Sequence, residues 1–137
     1  MATSITTSYT GSSILVQFNI TFECDSNTVF RLYRKIGDGT EIQIGTPLND
    51  DGTVNTNYWS GIWMTGYDSD TASTPMTNHY MFFDTHGAAV GSSITYKLKV
   101  LDTHVVAGKF CLNRSYDKDG QLAYEVGCSS VILQEIY

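Results

Sequence analysis

Basic residues are few, 8 against 14 acidic ones; cysteine, histidine and proline are rarer still at 3, 3 and 2, and apolar runs stay short. Each shortage excludes something. A membrane-spanning helix needs about 20 consecutive apolar residues, and no stretch approaches that length. Arg31, Arg34, Lys35, Lys97, Lys99, Lys109, Arg114 and Lys118 are scattered along the chain. They do not suggest the concentrated basic face that phosphate backbones demand, which argues against nucleic acid as a partner. Zinc needs three or four convergent ligands, yet there is no Cys-x-x-Cys and no His-x-x-x-His, and His79, His86 and His104 are spread out. No metal or other cofactor is expected. The start, MATSITTSYTGSS, has neither the basic nor the apolar segment of a secretory signal, so synthesis in the cytosol is expected. Ala, Leu, Glu and Lys are not arranged at helical spacing, which leaves helix little to build on.

What is present is a strand-forming composition. The chain carries 17 Thr, 13 Ser, 12 Gly and 9 Tyr, with hydrophobic residues at 42% and charged residues at 16%. Thr, Tyr, Val, Ile and Phe favour a pleated, half-buried surface. At 137 residues a single domain buries roughly two-thirds of its unfolded surface and needs no staple.

The strongest pattern is SILVQFNITFEC. Ile14, Val16, Phe18, Ile20, Phe22 and Cys24 alternate with Leu15, Gln17, Asn19, Thr21 and Glu23. Strict period two predicts one long strand with a single face on a core. In VFRLYRKI, Phe30, Leu32 and Ile36 oppose Arg31, Tyr33 and Lys35, and Asp38-Gly39 predicts a hairpin into EIQIG. HYMFFDT predicts a short strand. SITYKLKVL places Ile94, Tyr96, Leu98 and Val100 inward, with Lys97 and Lys99 outward. VVAGKFCLN and SSVILQEI complete about eight strands, the spacing of a sandwich or barrel. No internal repeat or second domain is evident. Residues 1–13, small and polar apart from Met1, Ile5 and Tyr9, read as an N-terminal arm ahead of a domain over 14–137.

The segment GKFCLNRSYDKDGQ tests the chemistry. Aligning Gly120 as the sixth residue of a calcium loop puts Ser115, Asp117 and Asp119 at ligand positions, but Val126 stands where the closing Glu belongs. A turn at Asp119-Gly120 fits better, and a two-residue hairpin there sets Val106 opposite Leu133, Phe110 opposite Ser129 and Leu112 opposite Gly127. The same register faces Cys111 with Cys128, two reduced thiols or a strained bridge, the reduced pair being favoured for a cytosol-made chain. Asp84-Thr85-His86-Gly87 beside Ser92-Ser93 lacks the Gly-x-Ser-x-Gly turn of a nucleophile. The paired carboxylates at 50–51, 68–70 and 117–119 all fall in turns, where Asp is ordinary. No catalytic residues are assigned, and an enzyme is not expected.

The island YWSGIWMTGY stands out. Trp59 and Trp63 fall on one face, and Tyr58, Ile62 and Met64 on the other, with Tyr67 at its end. Such aromatics serve as interface anchors or sugar-stacking platforms, and equally as ordinary core.

Taken in order, TVFRLYRKIGDGTEIQIG, the Trp-containing island, FFDTHGAAVGSSITYKLKV and the ending GKFCLNRS…SSVILQEI resemble jelly-roll domains of bacteriophage structural proteins. The resemblance covers residues 14 to 136. It implies an all-β jelly-roll sandwich of about eight antiparallel strands, similar to the tumour-necrosis-factor and complement C1q type, assembled as a homotrimer. The role expected on that basis is capsid decoration (a cement protein) on a tailed phage head, made in the host cytoplasm, with the major capsid protein as partner. The near-immediate start of the domain after Met1 favours this over a stalked tail fibre. The rival readings are a tail-fibre or receptor-binding knob that grips host surface glycan, and a free-standing lectin. No membrane partner is expected.

Overall fold

A computed structural model describes residues 1–57, 60–65, 75–102, 109–115 and 126–137. The described chain is all-β and contains no helix, hence none long and apolar enough to cross a membrane. Among the described residues there are nine strands: β1 (Ala2–Thr6), β2 (Ser13–Cys24), β3 (Thr28–Ile36), β4 (Ile42–Ile44), β5 (Trp63–Thr65), β6 (Met76–Asp84), β7 (Ser93–Asp102), β8 (Phe110–Leu112) and β9 (Ser130–Ile136).

They form two antiparallel sheets in a sandwich-like arrangement. Sheet A runs β1-β7-β3, and the free edge of β3 carries β5 against Thr28–Phe30 and β4 against Leu32–Arg34. Sheet B has β2 at its centre and β6 along one edge. The other edge of β2 carries β9 against Ser13–Asn19 and β8 against Phe22–Cys24.

The core follows from period-two alternation. Ile14, Val16, Phe18, Ile20, Phe22 and Cys24 are all buried along β2, as their spacing predicts, and Phe30, Leu32, Ile94, Tyr96 and Leu98 meet them from sheet A. Directly paired residues share a face, so the register carries this pattern across each sheet. Aromatic rings fill the space between layers. Phe22 stacks on Phe110 at 5.1 Å, and both meet Phe30 edge-on.

Val100 departs from the expected inward set. It has the inward parity, opposite Phe30, yet is 39% exposed. The pairing of β1 with β7 ends at Ala2 opposite Lys97, so this part of β7 extends past its neighbour.

Residues 1–13, expected as an arm, contribute β1, whose five residues pair with Thr6↔Ser93 through Ala2↔Lys97. The following turn is tied at both ends. The Thr7 N–H donates to the Ser92 carbonyl at 3.0 Å and the Thr7 hydroxyl to Ala89 at 2.7 Å. The Glu135 carboxylate accepts from the backbone N–H groups of Ser8 and Tyr9 and, at 2.6 Å, from the Ser12 hydroxyl.

The expected hairpin between the last two strands is corrected. β8 and β9 do not lie opposite one another; they occupy successive stretches of the same β2 edge, with Phe110 facing Cys24 and Leu112 facing Phe22. The chain does double back nearby, through a bridge between Arg114 and Val126 and the Gly127 N–H donating to the Asn113 carbonyl. That register is one residue away from the expected one, which sets Leu112 opposite Gly127. β2 offers a long, fully apolar inner face, and Phe110 packs better on that than across a narrow two-stranded ribbon. Residues 117, 119 and 120, on which the calcium loop and the turn were weighed, lie outside the described residues.

Candidate interaction surfaces

The two sheets turn different chemistry outward. On sheet B the outward residues of β2 are Leu15, Gln17 and Asn19. They are flanked by Phe83, Met81 and His79 from β6, and by Gln134, Ile132 and Ser130 from β9. This gives a grid of three cross-strand rows containing no Asp, Glu, Lys or Arg. Phe83 is 55% exposed, Met81 58% and Ile132 56%, with Leu15 half-buried between Phe83 and Gln134. Contiguous exposed apolar side chains rimmed by neutral polar ones mark a surface built to be covered. Sequence reading found the outward half of β2 but missed Met81, Phe83 and Ile132. Each is ordinary in a strand, and only the pairing gathers them.

On sheet A the outward residues are cationic. Arg31 pairs with Lys99 and Tyr33 with Lys97, while Lys35 faces Thr95. Four of the eight basic residues of the chain therefore share one face, which corrects the scattered picture. Their separation along the sequence is removed by antiparallel pairing of β3 with β7, a long-range contact that spacing alone does not reveal. Glu41 partly balances the face. Its carboxylate accepts from Lys97 at 2.6 Å and also from Lys99, and these two lysines hold its pKa below the usual carboxylate value. The Lys99 ammonium also sits 3.8 Å from the centre of the Tyr33 ring.

At the edge of this face is an open hollow of about 370 Å³, lined by Arg31, Gln43, Thr46, Asn55, Asn57 and Ser60 among others. The Arg31 Nε donates to the Ser60 carbonyl at 3.0 Å. The Ser60 hydroxyl in turn donates to the Asn57 and Asn55 carbonyls, at 2.6 and 3.0 Å, and the Asn57 N–H donates to the Asn55 side-chain oxygen. Asn55, Asn57 and Ser60 are thus tied to one another by their own polar groups.

The aromatic island divides. Trp63 enters the core, stacking on Tyr80 at 4.5 Å and meeting Phe18 edge-on at 6.1 Å. Ile62, expected on the opposite face from Trp63, also packs against the core. The strand begins only at Trp63, so Ile62 lies in the bend before it and escapes strand alternation; its N–H donates to the Phe30 carbonyl at 2.9 Å. Met64 is 68% exposed on the outer face of sheet A, paired with Val29. Tyr58, Trp59 and Tyr67 lie outside the described residues.

Cys111 faces Glu23, and no disulfide joins it to the exposed Cys128. The expected pairing of Cys111 with Cys128 is not formed, because β8 pairs with β2 instead.

Asp84 and His86 do not form a nucleophile-activating pair with serine. Asp84 has inward parity on β6 and reaches across the sandwich. One oxygen accepts from Arg34 at 2.7 Å, the other from the Tyr96 hydroxyl at 2.6 Å. Burial, and then the Asp84 bond and charge, push the Tyr96 pKa well above its ordinary value. His86 is buried and accepts from the Ala88 N–H through Nδ1 at 2.9 Å. Arg34 shares inward parity with Leu32 and Ile36, so the sequence does signal its position, although arginine is seldom buried unpaired.

No protein-family model, curated protein or solved structure matches the chain.

Proposed function

We propose that this protein is an adhesive, non-enzymatic β-sandwich that assembles with copies of itself through the outer face of sheet B. The observation carrying this reading is the charge-free grid around Leu15, Met81, Phe83 and Ile132. Two chains of formal net charge −6 repel at long range. An uncharged apolar face lets copies approach without opposing like charges and returns apolar area from water on contact. The occupant is a second and third copy of the chain, in a closed homotrimer of the jelly-roll, tumour-necrosis-factor/C1q type that the sequence resembles. Its place is the outer surface of a tailed phage capsid, where trimers anchored on the major capsid protein restrain neighbouring capsomers. The resemblance over residues 14 to 136 supports that setting, and the two-faced exterior supports an assembling module.

The test is copy number in purified particles, with heat release of DNA measured beside it. Hundreds of copies, and DNA lost at lower temperature from particles lacking the protein, are the expected results. A few dozen copies would move the protein to the tail. Absence from particles would remove the virion role altogether.

A further inference from the structure

We infer that His79 makes assembly through sheet B sensitive to acid: copies join while its ring is neutral and separate when it takes up a proton. This control rests on the reading of that face as the surface through which copies meet. Two features of the face carry it.

First, His79 belongs to the grid. It is exposed on β6 and pairs directly with Asn19 of β2, which pairs in turn with Ser130 of β9. This row lies next to that of Met81, Gln17 and Ile132, about 7 Å away along the strands. A stable contact takes about 800 Å² from each partner. The two apolar rows fall well short of that, since neighbouring strands stand only about 5 Å apart. A contact centred on Met81, Phe83 and Ile132 therefore reaches over the row of His79.

Second, His79 alone can bring charge to the grid, because the other positions of its three rows are apolar, amide or hydroxyl. Titratable groups on the surrounding strands are engaged elsewhere. Asp84 and Tyr80 of β6 have inward parity, and Asp84 is held by Arg34 and Tyr96. On β2, Cys24 is buried in the core and Glu23 is buried opposite Cys111. Glu135 of β9 accepts from Ser8, Tyr9 and Ser12. Among the described residues, none forms an ion pair with the His79 ring.

Charge at this position opposes contact. Histidine is the side chain whose ordinary titration falls between about pH 5 and 8. A protonated ring in the contact loses its water, and the grid has no carboxylate to replace it. In a closed ring of identical chains the same cation recurs on every copy, and like charges within a Debye length, about 8 Å at physiological salt, repel. The assembled state thus holds fewer protons than the free chains. Association is full above the ordinary histidine range, near ~6.5, and is lost as pH falls below it. About tenfold lower proton affinity in each chain multiplies to about a thousandfold in the three-chain association constant. Net charge acts the other way, because acid brings a chain of formal charge −6 closer to neutrality and weakens its self-repulsion.

Equilibrium sedimentation of the intact protein at about pH 8 and about pH 5.5 separates these effects, beside the variants His79→Gln and His79→Arg. Circular dichroism at both pH values checks the fold. The unmodified protein is expected at a three-chain mass at the higher pH and a one-chain mass at the lower. His79→Gln should hold three chains at both, and His79→Arg one chain at both. A three-chain mass of the unmodified protein at both pH values overturns the inference and leaves the assembly reading standing. A His79→Gln variant that separates in acid as its parent does overturns it equally. A one-chain mass of the unmodified protein at the higher pH removes the assembly reading, and the inference falls with it.

Discussion

Sheet A presents Arg31, Lys35, Lys97 and Lys99 to solvent, whereas sheet B presents Phe83, Met81, Ile132 and Leu15, and the two share the same core. Inner faces that must fill one space are constrained alike, by volume and by apolarity. Outer faces are released from that constraint, so their difference is where function is legible. A charged face stays soluble and selects partners by field. A neutral apolar one gains by being covered.

The largest effect is expected from giving sheet B the character of sheet A. Met81→Lys with Ile132→Lys places two cations per chain in the grid. The mass in solution should fall from three chains to one, while the matching change on sheet A, Lys35→Ser, leaves it unchanged. Light scattering after size exclusion reads both, and a variant that keeps its parent's mass would show that assembly uses another surface.

Cutting the tie between the sheets comes next. Arg34 and Asp84 side chains are only 14% and 6% exposed, and removing one partner of a buried pair typically costs about 3–5 kcal/mol. Asp84→Ala should lower the urea midpoint accordingly, and Arg34→Met/Asp84→Leu should restore much of the loss. Equal losses in the single and double variants would mean that the pair is not a coupled unit.

A smaller loss is expected at the edge of sheet A. A Cβ on Gly61 would meet the Phe30 carbonyl oxygen at 2.5 Å and collide with Val29 Cγ1. Backbone cannot rotate aside, so Gly61→Ala should cost about 1–3 kcal/mol in denaturant unfolding. A neutral outcome would show that the 60–62 bend is not pressed on β3.

The smallest effect concerns acid. The Ser12 hydroxyl and then the Ser8 and Tyr9 N–H groups hold the Glu135 carboxyl below its ordinary pKa. A folded-state value below the unfolded one, near ~4.3, contributes stability above that pH, and the contribution is lost as pH falls through the folded value. Glu135→Gln should therefore flatten the acid limb of melting temperature against pH below about 4.3, with little change in slope at neutral pH. An unaltered acid limb would contradict the role of this carboxylate in fastening the turn after β1.

Inner faces were legible because period two states parity directly. Phe18, Phe30 and Tyr96 all point where their alternation places them. Partners were not legible, because pairing is a long-range choice. β8 and β9 each carry a pattern that suits a hairpin, and the apolar length of β2 competes successfully for both. β1 was missed since Ile5 is its one large apolar residue after Met1, and its order comes from β7 and Glu135. Arg34 and Asp84 each carry inward parity, but parity does not say that the two meet, and each becomes tolerable inside only with the other. The basic face and the apolar grid were missed for the same reason, since each draws its rows from strands far apart in the chain.

Equilibrium sedimentation of the unmodified protein, at 0.15 M and 1 M salt, bears most directly on the face of sheet B. Assembly through an uncharged apolar grid predicts a three-chain mass at both salt concentrations. A one-chain mass throughout, or association that dissolves in high salt, would contradict it.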